Sequence, residues 1–290
     1  MSISPPTNSS ALVAYQSPES LIYKSQKIAE HPSLPKTTWH VEPNSAYSVT
    51  RIKTKIVDGK PVTSSTTYEV IDAVGSSYSS SMVFIIGPKG GKGKPKVMKV
   101  VGSCKHEYEI AQLWKNKTVG LMISPKAHLV DDDKELLIMH KYDGTLYERI
   151  LNLTPEQKLE AICQISSGLA DLHSLKINHS DIKLTNILYD KRKNRYDIID
   201  FEYSQTPKNN IPNRRDDIED FREVIHSILS DRKYTPQELR LNEKSISKLG
   251  YSEEVLKYIK DVATHKNYSA QAISHLFHKA LEEYRNPILT

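Results

Sequence analysis

Two quoted stretches, "INHSDIKLTNILYD" (177–190) and "RYDIIDFEYS" (195–204), carry four residues with chemistry in common: Asp181, Lys183, Asn186 and Asp200. Transfer of a phosphoryl group needs a carboxylate to orient the attacking hydroxyl and accept its proton. It also needs an ammonium to balance charge developing on the phosphate, and oxygen ligands for Mg²⁺. The four residues supply each part once. A plain strand–turn–strand requires no such set. Asx residues do cap turns, but that reading covers Asp181 and Asn186 and leaves Lys183 and Asp200 unexplained.

The elements around these residues are legible as patterns. In "TPEQKLEAICQISSGLADLHSL", Thr154 suits an N-cap and Pro155 the first helical position, with Leu159, Ile162, Ile165, Leu169 and Leu172 on one face. The short apolar runs "NIL" and "DII" read as strands, which places all four residues on loops at strand ends. "RRDDIEDFREVIHSIL" predicts a second helix with Ile218, Phe221, Ile225 and Ile228 on one stripe, and "SEEVLKYIKDVATH" and "SAQAISHLFHKALEEY" predict two more. The first half reads differently. "SVTRIKTKIV" and "VTSSTTYEVI" flank Asp58-Gly59 as a hairpin with a type I′ turn. "SMVFIIG", "PKVMKVV" and "ELLIMHKY" read as further strands, and "KHEYEIAQLWK" as a short helix. A β-rich first half and a helical second half predict an α+β fold in two lobes. The Ser- and Pro-rich start predicts a flexible leader over 1–45, a first lobe over 46–143 and a second over 144–290.

Composition narrows the partners. The net charge of +5 comes from 40 basic and 35 acidic residues, and the basic runs "GPKGGKGKPK" and "DKRKNR" are turn-like, so no nucleic acid is expected as a ligand. "GPKGGKGKP" also fails as a phosphate-binding loop, because Gly93-Lys94 is followed by Pro95. His275 and His278 share a helix face without further metal-binding neighbours in sequence. Cys104 and Cys163 form no disulfide framework and no metal-spaced cluster, which points to a reducing, cytoplasmic compartment. No apolar run approaches the roughly 20 residues of a membrane span, and the start lacks the order of a cleaved signal peptide. Delivery into a host cytosol by another route is a second reading.

In pattern and order these residues resemble the eukaryotic-type protein kinase family. The family's catalytic loop, His-Arg-Asp-Leu-Lys-x-x-Asn, is matched by "HSDIKLTN" from His179 to Asn186, and its Asp-Phe-Gly by "DFE" from Asp200 to Glu202. "KVMK" resembles the Val-Ala-Ile-Lys strand and would put Lys99 on the α- and β-phosphates of ATP. Glu107, or Glu109 as its rival, would pair with Lys99. His140 to Tyr142 would present backbone to adenine, and Gly75, Ser77 and Ser80 in "GSSYSSSMV" would stand at the glycine-loop positions. In "RRDDIEDF", Asp217 would anchor the catalytic loop, and His179 would pack beneath it. The resemblance runs from about Tyr68 to the C-terminus. It implies ATP and Mg²⁺ as cofactors, Asp181 as base, Lys183 as the charge-balancing lysine, and Asn186 and Asp200 as metal ligands. Related kinases of small molecules usually lack the lysine, so Lys183 favours serine or threonine of a protein substrate.

Four departures qualify the likeness. Serines stand at two glycine-loop positions. Ser180 replaces an arginine that receives activation-segment phosphate, and Glu202 replaces a glycine. Asp200 and Asp217 are only seventeen residues apart with no Ala-Pro-Glu, so the peptide-docking platform is expected to be missing. Control by an activating protein partner, rather than by phosphate on Ser204 or Thr206 paired with Arg214 and Arg215, is the corresponding expectation. A pseudokinase acting as a binding module and a small-molecule kinase are the rival readings. Pared-down kinases of this kind resemble some that bacterial pathogens deliver into host cells, and some of viruses.

Overall fold

Asp58 and Gly59 adopt φ of 50° and 75°, the pair of positive values a type I′ turn requires. They join β2 (Val49–Val57) to β3 (Lys60–Val74) in the computed structural model. This structure describes residues 36–42, 48–74, 81–115, 127–131, 134–206, 216–233, 246–265 and 267–287. The described residues fall into two compact units, 36–38 with 52–65, and those of 39–51 with those from 66 onward. In the first, the described part includes the outer end of the hairpin, where the hydroxyls of Thr54 and Thr63 are hydrogen-bonded at 3.1 Å. The second unit holds every described residue assigned a chemical role above.

With β1 (Lys36–Val41), β4 (Met82–Pro88), β5 (Lys96–Val101), β6 (Ala127–Asp131) and β7 (Lys134–His140), these strands form one sheet in the order β1-β2-β3-β4-β5-β7-β6. Successive side chains alternate between faces. Met98 and Val100 of β5 therefore join Leu136 and Ile138 of β7, Ile86 and Tyr68 in one core. Val97 and Val101 pack on the other face with Leu137, Met139 and Cys104. Lys99 shares that second face, the one covered by α1 (Lys105–Lys115).

β1 lies inside the stretch that composition assigns to a flexible leader, 1–45, and corrects that expectation. Trp39 is buried, its ring 5.4 Å from that of Tyr68, and the Arg51 guanidinium sits 5.8 Å and 5.4 Å from the two rings. One buried aromatic of that size outweighs the Ser/Pro character of the residues before it.

The helical half begins with α2 (Leu146–Arg149), capped by Thr145 and Glu148. In α3 (Pro155–Ser174) the Thr154 hydroxyl accepts from the Gln157 N–H at 3.2 Å and the Gln157 side chain accepts from the Thr154 N–H at 3.0 Å. The predicted face of α3 is fully buried. A two-stranded ribbon, β8 (Ile187–Asp190) and β9 (Arg195–Ile198), leads to Asp200. Then come α4 (Asp217–Ser230), α5 (Glu253–Thr264) and α6 (Ala270–Arg285), N-capped by Asp216, Ser252 and Ser269. α6 packs along α3 and α5, and their apolar faces make the larger core. Among the described residues no helix is long and apolar enough to cross a membrane. The architecture is the two-lobed α+β arrangement expected from the sequence.

Candidate active site

The catalytic loop is held from beneath by Asp217, fully buried in the first turn of α4. Its Oδ2 accepts from the N–H of His179 at 2.7 Å and its Oδ1 from the N–H of Ser180 at 2.6 Å; His173 Nε2 lies 2.9 Å from Oδ2. Ser180 has φ 66°, a left-handed conformation that turns two successive N–H groups toward one carboxylate. The positive end of the α4 dipole favours the same negative charge.

Burial holds the His179 imidazole below the ordinary histidine pKa, so it is neutral with one N–H to give. Nε2 is 2.8 Å from the carbonyl of Ile199, which assigns the proton there and leaves Nδ1 to accept the N–H of Asp181 at 3.3 Å. The ring also stands edge-on to Phe201, with centroids 4.7 Å apart. His179 is a bracket for the loop.

On this base Asp181 Oδ2 accepts from Lys183 Nζ at 2.7 Å and from Asn186 Nδ2 at 2.8 Å. Asn186 Nδ2 also donates to the Asp181 carbonyl at 3.0 Å, and the Asn186 carbonyl accepts from Ile199 N–H at 2.9 Å, just before Asp200. The structure thus brings Asp181, Lys183 and Asn186 together in one hydrogen-bonded group.

A second group gathers around Lys99. Its Nζ donates to Glu107 Oε2 at 2.8 Å and Asp200 Oδ1 at 2.7 Å, with Glu202 Oε2 at 3.8 Å. Burial alone would depress the Lys99 pKa, but the carboxylates of Glu107 and Asp200 hold it above the ordinary lysine value. Of the two glutamates left open by the sequence, Glu107 is buried on the lysine and Glu109 is exposed. Asp200, like Ser180, is a non-glycine residue in the left-handed region, with φ 69°. Backbone of this kind is kept only where its surroundings enforce it.

The donor set suits a hard dication. Asn186 spends its amide nitrogen on Asp181, which turns its Oδ1 away, and Asp200 gives one oxygen to Lys99 and keeps the other. Two such oxygens, beside a lysine faced by three carboxylates, fit Mg²⁺.

His140 and Tyr142 lie at the end of β7 and in the connection that follows, their rings edge-on at 5.7 Å. The Tyr142 hydroxyl donates to Asp197 at 2.5 Å. Gly75, Ser77 and Ser80 lie outside the described residues, as do Arg214 and Arg215. Ser204 is turned inward: its hydroxyl donates to the Phe201 carbonyl at 2.5 Å and lies 3.2 Å from His106 Nε2 on α1.

Three participants escaped the sequence reading. Asp197, fully buried in β9, takes Tyr142 and the Arg195 guanidinium at 2.8 Å. Its signal was a carboxylate next to the apolar pair Ile198-Ile199, two residues after a basic one, Arg195. His106 ties α1 to Ser204, and Glu135 accepts the N–H of Cys104 at 2.6 Å at the start of α1. Neither has a local signature.

Residues 96–255, more than half of the chain, match the protein kinase domain family. A probable serine/threonine-protein kinase of Dictyostelium discoideum is 38% identical over 98 residues, 32% of this chain and 6% of that protein. The probable serine/threonine-protein kinase fnkB of the same organism is 36% identical over 70 residues, 22% of this chain and 13% of that one. The match therefore spans a small part of either relative. The solved structure of the Cydia pomonella granulovirus kinase PK-1 shares the fold, with a TM-score of 0.52 at 22% identity over 77% of this chain and 94% of the viral one. With the geometry around Asp181, Asp200 and Asp217 already in place, the family match settles the affiliation: the chain belongs to the protein kinase domain family.

Proposed function

We propose that the protein transfers the γ-phosphoryl group of ATP to a serine or threonine hydroxyl of a protein, with Mg²⁺. The observation that carries this reading is the pairing of Asp181 with Lys183 at 2.7 Å on a loop fixed by Asp217. Lys99, oriented by Glu107, binds the α- and β-phosphates. Asp181 positions the acceptor hydroxyl and takes its proton as the oxygen attacks. Lys183 swings from Asp181 toward the γ-phosphate as negative charge develops there. Asn186 and Asp200 would hold Mg²⁺, which would supply charge neutralisation on the phosphates. The acceptor is a protein, and the short stretch between Asp200 and Asp217 calls for an activating partner protein to complete the docking surface. The setting proposed is cytoplasmic, a host cytosol included.

The test is transfer of labelled phosphate to a panel of protein and small-molecule acceptors. Asp181→Ala is expected to cut the rate by roughly 10²–10⁴ while nucleotide affinity persists, because its carboxylate faces the acceptor. Asp200→Ala should abolish transfer in a folded protein. Full activity of folded Asp200→Ala would end the kinase reading, and acceptance by small molecules alone would replace the protein substrate.

A further inference from the structure

Away from the phosphate site, three residues from three elements place metal-ligand atoms close together. Cys104 immediately precedes α1, His128 lies on β6 and Glu135 on β7, and their Sγ, imidazole nitrogen and carboxylate oxygen all fall within 4.8 Å of one another. Cysteine spacing suggests no cluster; strand register creates one. Val130 pairs with Glu135 and His128 with Leu137, so His128 and Glu135 share the face of the hairpin that Leu137 presents toward α1.

We propose that Cys104, His128 and Glu135 form a Zn²⁺ site. Thiolate, imidazole and carboxylate are the three ligand types zinc takes, and three protein ligands leave a fourth position for water. In a tetrahedral site with bonds of that kind, ligand atoms stand roughly 3.3–3.8 Å apart. His128 Nε2 and Glu135 Oε2 stand 3.0 Å apart, just inside that range, and no ligand atom is more than 4.8 Å from another, so closure needs shifts of about one ångström. The imidazole is supported by the ring of Tyr108, 5.1 Å away and tilted by 35°. Cys104 is buried, while His128 and Glu135 are 17% and 19% exposed in their side chains, which leaves an entry path.

Glu135 Oε2 accepts from the Cys104 N–H and from His128, and Oε1 from the Ser103 hydroxyl at 3.3 Å. A carboxylate has lone pairs for both an N–H and an ion. The ligating form of cysteine is the thiolate, so the ion displaces the Cys104 thiol proton as it binds. Nε2 of His128 ligates once its proton sits on Nδ1. The consequence reaches the nucleotide side. The Cys104 carbonyl accepts from Tyr108 N–H at 2.9 Å, which makes Cys104 the opening residue of the turn that carries Glu107. Bound zinc ties that turn to the β6–β7 hairpin.

The site does not depend on the catalytic reading, and its test uses no activity assay. Zn²⁺ alone is titrated into the full chain against a chromophoric chelator, and Co²⁺ is added separately to report the thiolate by its charge-transfer absorption. One tight equivalent, a Co²⁺–thiolate band and a Zn²⁺-dependent rise in Tm are expected. Cys104→Ala should remove the band and weaken Zn²⁺ at least about tenfold, and His128→Gln should weaken it comparably while leaving the fold intact by circular dichroism. Cys163→Ala should change neither. Zn²⁺ affinity unaltered in both Cys104→Ala and His128→Gln, or a thiolate band that follows Cys163, would overturn the proposal.

Discussion

The two halves of the candidate active site are built in different ways. The catalytic loop is held through its backbone: one buried carboxylate receives two successive N–H groups, and a neutral histidine braces the turn. The Lys99 corner is held through side chains alone, one ammonium among the carboxylates of Glu107 on α1 and of Asp200 and Glu202 on one stretch after β9. A backbone clamp on buried groups keeps its shape whatever occupies the site. A cluster of charges exchanges partners when phosphates and a dication arrive, and it follows any movement of α1. The loop is therefore the fixed jaw and the Lys99 corner the adjustable one.

Removing one carboxylate from each half tests that contrast, and the largest effect should come from the loop. Asp217→Ala strips the acceptor from two buried N–H groups, each worth about 1–3 kcal/mol when left unmade, so a loss of about 3 kcal/mol or more is expected. Glu107→Gln should lose only about 1 kcal/mol, because the amide oxygen still accepts and Lys99 keeps Asp200 at 2.7 Å. Its transfer rate should nevertheless fall on the order of 10²-fold as Lys99 loses its aim. Urea midpoints with unchanged m-values, read beside rates, decide this. Equal stability losses in the two variants would erase the distinction.

The same contrast explains what sequence could show. The catalytic loop is eight contiguous residues whose identities carry the chemistry, so Asp181, Lys183 and Asn186 stand out without any fold. The Asp58-Gly59 turn and the Thr154-Pro155 cap are equally local. The Lys99 corner was legible only in part: Glu107 and Glu109 both occupy the start of one helix, and burial alone separates them. β1 hid because six residues next to a Ser/Pro-rich stretch offer little periodicity, and its evidence, Trp39 on Tyr68, is a long-range contact. Asp197, Glu135 and the Cys104–His128–Glu135 group are products of strand register, with nothing in their neighbours to announce them.

A smaller effect, confined to the fixed jaw, is its response to acid. Burial lowers the His179 pKa in the folded state below the unfolded value of about 6.5. The unfolded chain therefore takes the proton first. The stabilisation is present above about pH 6.5 and is lost as pH falls toward the folded value, at up to about 1.4 kcal/mol per pH unit. His140 and His226 are lowered by burial as well and contribute in the same direction. Stability measured at pH 7.5 and 5.5 should fall less in His179→Gln than in the parent. An identical fall in both would show that His179 titrates as it does in water.

The smallest effect probes how firmly Asp217 imposes its geometry. Ser180 occupies φ 66°, which costs a residue with a Cβ about 1 kcal/mol, and its buried hydroxyl has no hydrogen-bond partner among the described residues. Ser180→Gly removes both penalties and adds back about 0.4–1 kcal/mol of unfolded-chain entropy. A net gain of about 1 kcal/mol is expected. Ser180→Ala removes only the hydroxyl penalty, so its gain isolates that part. The decisive measurement is the cycle with Asp217→Ala. Without the carboxylate the loop is free to leave the left-handed region, and the advantage of glycine over alanine at position 180 should shrink toward zero. If glycine outperforms alanine equally in both backgrounds, the strain at Ser180 belongs to the local chain, and Asp217 is not what holds it there.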